Sequence, residues 1–436
     1  HLLMKKYSLF SFVFLFCFYS YGQNPAPGLK QTKSILLMNG VLHIGNGKMI
    51  ENSLVGFRDG IIDLVADATT SKIDMSKYDT IIRLGGQHVY PAFIAPNSTI
   101  GLTEVDAVRA TLDFSEVGGM NPHVRALIAF NTDSKIISTV RTNGVLYCQV
   151  TPRGGTISGT SSVVSLDAWN WEDAVVSTDD GVHLNYPRLP FRIRNEREGE
   201  DPLAVYESSL IQLNKYFADA VSYLNSPDQQ EKNLYFEALR GVFSGKQRIY
   251  IHVDYVKDML SSIDFCSKFN FPKPVFVGGK DAWKITPQLR ACKIPVMINR
   301  IHDLPSLQED DIDLPYKLAY LLARDSVEFC LQNEGDMEAM NTRNLPFLAG
   351  TAAAYGLEKE LAIKSISLSA ARILGVENKI GSIEQKKIAS LFVSEGDALD
   401  MRRNKVTMAW IEGRKVTLTN SQQSQYEKYK TKYGVK

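Results

Sequence analysis

The sequence predicts an α/β protein in which a (β/α)8 TIM-like barrel carries a small composite β-sandwich formed by the N- and C-terminal segments. From residue 91 to residue 376, strand-like apolar runs alternate with helix-like runs, which is typical of a parallel sheet covered by helices. Clusters of short, Gly-punctuated strands flank this region at 34–90 and 377–419. The chain has 436 residues, and single cores seldom exceed ~250–300 residues unless they are barrels with insertions.

The composition is that of an ordinary globular protein and excludes some partners. Hydrophobic residues make up 44% and charged residues 22% of the chain. Lys plus Arg number 49 and Asp plus Glu number 48, and no basic block interrupts this balance. We therefore expect no nucleic-acid partner.

Residues 4–22 have the order of a secretory signal peptide. Lys5 and Lys6 precede a short apolar run that ends near Phe18, and small residues follow it. The run is shorter than the ~20 residues that span a bilayer. We expect export to the periplasm or cell envelope of a Gram-negative bacterium, or secretion, with no membrane span after cleavage. A lipidated Cys17 and an uncleaved anchor are the alternatives.

Four cysteines remain in the predicted mature chain. Two of them, Cys148 and Cys330, lie inside apolar strand-like runs, and free cysteine commonly behaves as a small buried hydrophobe. We predict four buried thiols, these two with Cys266 and Cys292, rather than two disulfides.

Glycine-containing turns divide the two terminal clusters into short strands. Asn39-Gly40, the Gly45–Gly47 segment and Asp59-Gly60 are tight-turn signals in the first cluster. Glu412-Gly413 is the corresponding signal in the second. The barrel region contains a mostly helical, polar elaboration at about 184–246, and residues 420–436 form a polar tail.

The order of these segments resembles the amidohydrolase superfamily, in particular its imidazolonepropionase-like branch. "NGVLHIGNGKMIENSLVGFRDGIIDLVA" is similar to the family's opening sandwich, and "GGQHVYPAFIAPNSTIGL" is similar to its entry to barrel strand 1. "AIKSISLSAARILGVENKIGSIEQKKIASLFV" is similar to its closing helix and return to the sandwich. The resemblance covers essentially the whole predicted mature chain and implies a hydrolase of C–N bonds.

The resemblance also implies a metal site that this sequence mostly lacks. Family members bind the metal through two His after strand 1, one His each from strands 5 and 6, and an Asp from strand 8. His252 matches the strand 5 ligand and is the only retained ligand position. The other positions carry residues that are poor zinc ligands, namely Asn97, Thr99, Gly278 or Gly279, and Gln332 or Asn333.

Other polar residues follow the predicted strands and could form a site at the same face of the barrel. His252 with Asp254 is a candidate base and carboxylate pair, although His252 could equally be a hydrogen-bonded histidine of the barrel mouth. His302, Asp303 and Glu334 could rebuild a metal site with His252. Arg153, in a Gly-rich loop, and Arg343 could each bind an anion or simply hold a loop in place.

Three functional hypotheses follow. The preferred ones are a pseudoenzyme that binds an unknown small molecule, and a partner subunit in a homo-oligomer or in a hetero-complex with a related amidohydrolase. The alternative is a divergent hydrolase of non-peptide or cyclic C–N bonds with a relocated or absent metal. No cofactor is expected under the preferred hypotheses, and one divalent metal such as Zn²⁺ is expected if the metal is relocated.

Overall fold

The computed structural model describes residues 26–189, 201–226 and 231–434. The predicted signal peptide (4–22), with Cys17, lies outside the described residues. So do residues 190–200 and 227–230 of the predicted helical elaboration.

The described strands fall into two sheets, and their bounds are as follows: β1 Ile35–His43, β2 Met49–Arg58, β3 Ile61–Asp67, β4 Thr80–Arg83, β5 His88–Pro91, β6 Phe93–Ser98, β7 Val145–Val150, β8 Ile157–Ser165, β9 Val175–Asn185, β10 Arg248–Val253, β11 Pro274–Gly278, β12 Val296–Ile298, β13 Phe329–Leu331, β14 Leu391–Ser394, β15 Val406–Ile411 and β16 Arg414–Lys415.

Both ends of the chain contribute to the smaller sheet, which has the order β16-β15-β14-β5-β1-β2-β3, with β4 also pairing with β1. The two ends join where β14 pairs with β5 in antiparallel register. The buried side chains of this sheet include Trp410, whose ring packs edge-on against Phe57 at 5.6 Å between centroids. Removing such aromatic area from water is a large stabilising contribution.

Of two predicted glycine turns, one connects two strands and the other lies inside a strand. Asp59 and Gly60 both have positive φ angles (49° and 79°) and connect β2 to β3, as their sequence predicts. The Asn39-Gly40 turn prediction is wrong. Asn39 (φ 60°) instead forms an irregularity inside β1, where the register with β2 shifts between Met38 and Gly40.

The larger sheet contains eight described strands in the order β13-β12-β11-β10-β9-β8-β7-β6. The predicted α/β class, with a barrel-type sheet and a separate second sheet, is confirmed. One strand departs from the (β/α)8 pattern, because β8 runs antiparallel to both β7 and β9. Part of the segment predicted as a Gly-rich loop therefore forms this strand. Gly154 and Gly155 adopt positive φ angles (87° and 64°), which let the chain reverse direction there.

A side-chain contact outside the strand ladder joins β6, the first strand of the larger sheet, to the end of β13, its last strand. Near the carboxyl ends of these strands, the side chain of Asn97 donates to Gln332 at 3.0 Å. Closer to the start of β6, the backbone N–H of Ile94 donates to the carbonyl of Ile366, in the helical segment that follows β13, at 2.9 Å. These contacts hold β6 against the end of β13 and the segment after it.

Helices cover the larger sheet, and their bounds are α1 Lys135–Arg141, α2 Trp171–Ala174, α3 Pro202–Asn225, α4 Leu234–Glu237, α5 Arg240–Phe243, α6 Val256–Phe269, α7 Thr286–Cys292, α8 Leu314–Arg324, α9 Glu338–Asn341, α10 Leu345–Ala354, α11 Lys359–Ser365, α12 Leu368–Leu374 and α13 Ser421–Tyr433. None of the helices in the described part of the chain is both long enough and apolar enough to cross a membrane.

The cysteine prediction holds at three positions and is wrong at one. Cys148, Cys266 and Cys330 are free and buried, whereas Cys292 is free and exposed. Cys292 is the last residue of α7, a helix whose buried face is formed by Thr286 and Leu289. The apolar contacts that bury the other thiols are therefore missing at this position.

Candidate functional site at the carboxyl ends of the barrel strands

Asn97, near the end of β6, links three barrel strands. Only 1% of its surface is exposed, and its backbone is left-handed (φ 48°), which asparagine tolerates better than most residues. Its backbone N–H donates to Gln149 Oε1 at 2.9 Å. Its Nδ2 donates to Gln332 Oε1 at 3.0 Å and to Glu334 Oε2 at 2.9 Å. Asn97 thus connects β6 to β7 and to the end of β13.

Arg153, in the turn between β7 and β8, binds the same asparagine. Its Nη1 donates to Asn97 Oδ1 and its Nη2 donates to the Asn97 carbonyl, both at 2.8 Å. Nη2 also donates to Glu338 Oε1 at 2.9 Å. Arg153 thus forms an ion pair with Glu338, the first residue of α9. Burial alone would raise the pKa of Glu334, but the charge of Arg153 leads the interactions that hold it below its usual value.

Two histidines on neighbouring strands form a direct contact beside this network. His183 Nδ1 on β9 and His252 Nε2 on β10 are 3.0 Å apart, so one ring donates to the other. The His183 ring also stacks on Tyr250, with centroids 4.6 Å apart. His252 Nδ1 lies 3.9 Å from Glu334 Oε1. His183, His252 and Glu334 are therefore neighbours in sequence of contact, with His252 between the other two.

Both imidazoles are held in the neutral state at neutral pH. Burial lowers the pKa of His252 to about 4, and the charge of Arg153 adds to this effect against the opposing charge of Glu334. Burial also lowers the pKa of His183 well below its usual value. Within the described residues, the buried Nε2 of His183 has no hydrogen-bond partner.

A second polar layer lies deeper between the strands, around the buried carboxyl of Asp180. This group accepts hydrogen bonds from Gln149 Nε2 and Ser161 Oγ, both at 2.8 Å, and from the Tyr250 hydroxyl. Burial raises the pKa of Asp180 despite these donors. Because Gln149 also accepts the backbone N–H of Asn97, this layer supports the network at the mouth.

No hydrogen bond joins the candidate pair His252 and Asp254 within the described residues. The ring nitrogens of His252 face His183 and Glu334, and Asp254 Oδ1 is a buried atom that has no hydrogen-bond partner within the described chain. Asp254 instead fills the space above Gly278, where an added Cβ would lie 2.5 Å from its Oδ1. Burial raises the pKa of Asp254.

His302 and Asp303 are not grouped with His252 and Glu334 in the described part of the chain. His302 Nε2 makes a 2.7 Å hydrogen bond with the Thr351 hydroxyl, and Asp303 pairs with Lys280 at 3.1 Å. Both residues follow β12, and no hydrogen bond or ion pair among the described residues joins either of them to the His183–His252 pair. Of this predicted group, only Glu334 lies near His252.

Arg343 does not join Arg153 at the network. It lies half-buried in a short helical turn, where its carbonyl accepts a hydrogen bond from Asn143 Nδ2 at 2.7 Å. Asn143 lies just before β7, on the entry side of that strand. Of the two arginines proposed as anion ligands, the structure thus brings only Arg153 into the site.

The remaining ligand positions of the resemblance carry no acid–base side chain. Thr99 is buried and its carbonyl accepts the Leu102 N–H. Gly279 has a positive φ of 66°, and Asn333 Nδ2 donates to the Glu338 carbonyl at 3.4 Å. A zinc site needs three protein ligands. Within the described part of the chain, no three His, Cys, Asp or Glu side chains are grouped closely enough to hold an ion. The residues present do not fit the superfamily's metal.

His183 is one of the site residues that reasoning from the sequence missed. Its run, "GVHLN", alternates apolar and polar residues in the same way as "IYIHV", which contains His252. The segment 184–246 was predicted as an elaboration, so the strand just before it was not counted in the barrel. Gln149 and Asp180 were missed for a related reason, since single polar residues inside apolar runs carry little sequence signal.

No family model and no curated protein matches the sequence. Its matches are with solved structures. An amidohydrolase from Thermotoga maritima has a TM-score of 0.75 and 25% identity, over 88% of this chain and 99% of that chain. A prolidase complexed with N-methylphosphonate-L-proline (TM-score 0.52, 12% identity) matches 88% of this chain and 99% of its own. The ochratoxinase from A. niger (TM-score 0.51, 13% identity) matches 88% of this chain and 95% of its own.

These neighbours support a hydrolase-like fold for the barrel and second sheet. The two matches at 12% and 13% identity carry information on the fold alone. The Thermotoga maritima protein, at 25% identity, is the one of the three that bears on the superfamily.

Proposed function

We propose that this chain is an exported, amidohydrolase-type protein that binds a small molecule or a partner subunit and does not perform metal-dependent hydrolysis. The observation that carries the proposal is the network of Arg153, Asn97 and Glu334. A hydrogen-bonded amide joins the first and last barrel strands at the position that matches a metal ligand in the resemblance.

The charge of Arg153 supports this proposal. In the superfamily a metal cation balances the carboxylate of strand 8 and lowers the pKa of a bound water. Here the fixed guanidinium charge faces the Glu334 carboxylate through Asn97. A guanidinium stabilises an anion but has no exchangeable ligand position at which to activate water. The site therefore keeps a positive charge but lacks the means by which a metal ion activates water for hydrolysis.

The engagement of His252 supports it as well. Its Nε2 already contacts His183 and its Nδ1 faces Glu334. A general base must reach the proton it abstracts, and neither ring nitrogen of His252 is left facing the barrel mouth without a protein neighbour. Binding is therefore the better-supported role for this face.

The alternative function is hydrolysis of a C–N bond without a metal. The line from His183 through His252 to Glu334 favours it, because a neutral imidazole beside a carboxylate is suited to accept a proton from water. A water would have to enter between His252 Nδ1 and Glu334, which are 3.9 Å apart.

The test uses the mature chain, purified without chelators. We expect substoichiometric Zn²⁺, Mn²⁺ and Fe²⁺ by elemental analysis after dialysis, and no turnover of dipeptide, lactam or imidazolone substrates with or without added metal. One tightly held equivalent of metal would overturn the proposal. Metal-independent turnover that is lost in His252→Asn but kept in His302→Asn would establish the alternative.

Export and partnership are parts of the proposal with their own measurements. Sequencing of the N-terminus of protein expressed with residues 1–30 intact in a Gram-negative host tests cleavage near residue 22. Light scattering of the purified chain tests for a homo-oligomer, and co-purification from its native envelope tests for a related amidohydrolase subunit.

A further inference from the structure

A cleft beside the barrel mouth is not used by the network around Asn97. It lies between the ends of β11 and β12 and the segment that leads into α8, and it is partly open to solvent. The residues that line it include the apolar side chains of Leu304, Leu314 and Leu318, from this segment and from α8, together with Lys280, Asn299 and Arg300.

Arg300 is the unusual group in this cleft. It is half-buried, and its Nη1 donates to the carbonyl of Asp336 at 3.2 Å. Gly335 leaves room for the guanidinium, since an added Cβ there would lie 3.0 Å from Arg300 Nη2. A guanidinium offers five donors, and no ion pair to a carboxylate satisfies it within the described chain.

Two of the three acids that line the cleft are already paired with lysines. Lys280 pairs with Asp303 at 3.1 Å, and Asp281 pairs with Lys284 at 2.8 Å. Asp310 accepts the backbone N–H of Leu307 at 3.1 Å. Arg300 therefore supplies a positive charge in a partly desolvated position, where pairing with an anion is stronger than at an open surface.

The cleft is connected to the network at the barrel mouth. Asn299, adjacent to Arg300, accepts a 2.6 Å hydrogen bond from Gln332 Nε2, and Gln332 in turn accepts from Asn97. Leu304, at the rim, leaves 72% of its surface exposed. An apolar ligand group could cover this side chain while a polar group reaches Arg300.

We propose that this cleft binds a small organic carboxylate, with the carboxylate on Arg300 and a branched apolar body against Leu304, Leu314 and Leu318. The inference rests on the proposed function in that it names the class of small molecule bound at this face of the barrel. A guanidinium pairs with a carboxylate in bidentate geometry. Because Asp281 and Asp303 are already paired with lysines, that geometry at Arg300 is available to a ligand.

The probe is isovalerate, compared with the neutral isostere isovaleramide, by NMR titration of the full mature chain. We expect isovalerate to bind about tenfold or more tightly than the amide, since a charge-assisted bond exceeds a neutral one by roughly 1.4 kcal/mol or more. Arg300→Gln should abolish this preference. Arg324→Gln is the matched control, because Arg324 is an exposed arginine of α8 that already pairs with Asp325.

Equal binding of acid and amide, no binding of isovalerate, or retention of the preference in Arg300→Gln would each overturn the inference. If Arg300→Gln does not fold, Leu318→Ala, on the apolar wall, should weaken isovalerate and isovaleramide alike while leaving their ratio unchanged. A changed ratio would count against the assignment. Hydrolytic turnover by the wild-type chain would sink the proposed function but would leave the carboxylate preference standing, so the two failures are distinguishable.

Discussion

His183 Nδ1 lies 3.0 Å from His252 Nε2 across two neighbouring barrel strands. In this geometry one nitrogen must carry a proton and the other must accept it, because two protonated nitrogens would repel and two bare ones would leave no hydrogen bond. The hydrogen bond therefore forms only while one of these two nitrogens is protonated and the other is not. This requirement links the stability of the barrel mouth to pH.

We predict that the free energy of unfolding falls as the pH is lowered from about 6.5 towards 5. Burial holds the pKa of His252 at about 4 in the folded chain, whereas an unfolded histidine titrates near 6.5. Between these values the unfolded chain binds more protons, so acid favours unfolding. His252 alone would contribute up to about 3 kcal/mol over the whole window.

Urea unfolding at pH 7.0, 6.0 and 5.0 measures this dependence. His252→Asn removes the ionisation while keeping a polar side chain, and its free energy of unfolding should fall less steeply than that of the wild type. Identical slopes for the two proteins would contradict the assignment of a depressed pKa to His252.

A second prediction concerns Arg153→Gln, which should raise the pKa values of His252, His183 and Glu334. The positive charge of Arg153 lowers all three in the folded chain, so its removal must shift each of them upward. NMR titration of the histidine ring protons measures the first two. Arg125→Gln is the control, because Arg125 is exposed and pairs with Asp179; it should leave the histidine titrations in place. A fall in the pKa of His252 in Arg153→Gln would contradict the electrostatic account.

The sequence predicted the fold class better than it predicted the site. Strand and helix periodicity reports burial on a sheet or helix face, and the turn at Asp59-Gly60 has local chemistry that needs no tertiary information. The contacts of Asn97 with Gln332 and Glu334 join residues 235 and 237 positions apart. Only the closure of the sheet brings such positions together. Matching Asn97 to a metal-ligand position could therefore indicate that a ligand is lost, but it could not indicate the hydrogen bonds that Asn97 makes instead.

The case of Asp254 shows the same limit at short range. Its spacing from His252 suggested a hydrogen-bonded pair, yet alternate residues of a strand point to the same face without having to touch. The missing side chain at Gly278 on the neighbouring strand decides where the Asp254 carboxylate lies. That cause is not visible in the run "YIHVD".

A third prediction follows for Gly278. Gly278→Ala should lower the free energy of unfolding by about 2–3 kcal/mol, because the residue has a φ of 108° and the new Cβ would lie 2.5 Å from Asp254 Oδ1. Gly85→Ala separates the two causes, since Gly85 also has a positive φ (59°) but its Cβ would meet nothing within 4 Å; we expect a loss of about 1 kcal/mol there. Gly119→Ala, with open space and no positive φ, should be close to neutral. Equal losses at positions 278 and 85 would show that Asp254 moves freely.

The last prediction is that restoring the strand 1 ligand pair, Asn97→His with Thr99→His, will not restore hydrolysis. The double variant would nominally supply three imidazoles, the two introduced ones and His252, which is the minimum for a catalytic zinc. It would also remove the amide that joins Gln332 and Glu334, and it would leave Arg153 without the Asn97 Oδ1 acceptor.

The remaining ligands are not free to complete such a site. His252 Nε2 is engaged with His183. Of the two candidate strand 6 positions, Gly278 is closed to a side chain by Asp254 and Gly279 by Val296. Groups that orient metal-bound imidazoles typically contribute ~10–100-fold in affinity or activity, and none has been built for the new histidines. Calorimetric titration with Zn²⁺ should therefore show weak uptake, with no turnover of lactam, dipeptide or imidazolone substrates. Asn97→Ala with Thr99→Val is the control for the loss of the amide alone. Clear zinc-dependent turnover by the histidine variant, absent from this control, would mean that the barrel mouth has kept a catalytic geometry and that the Arg153 network is readily displaced.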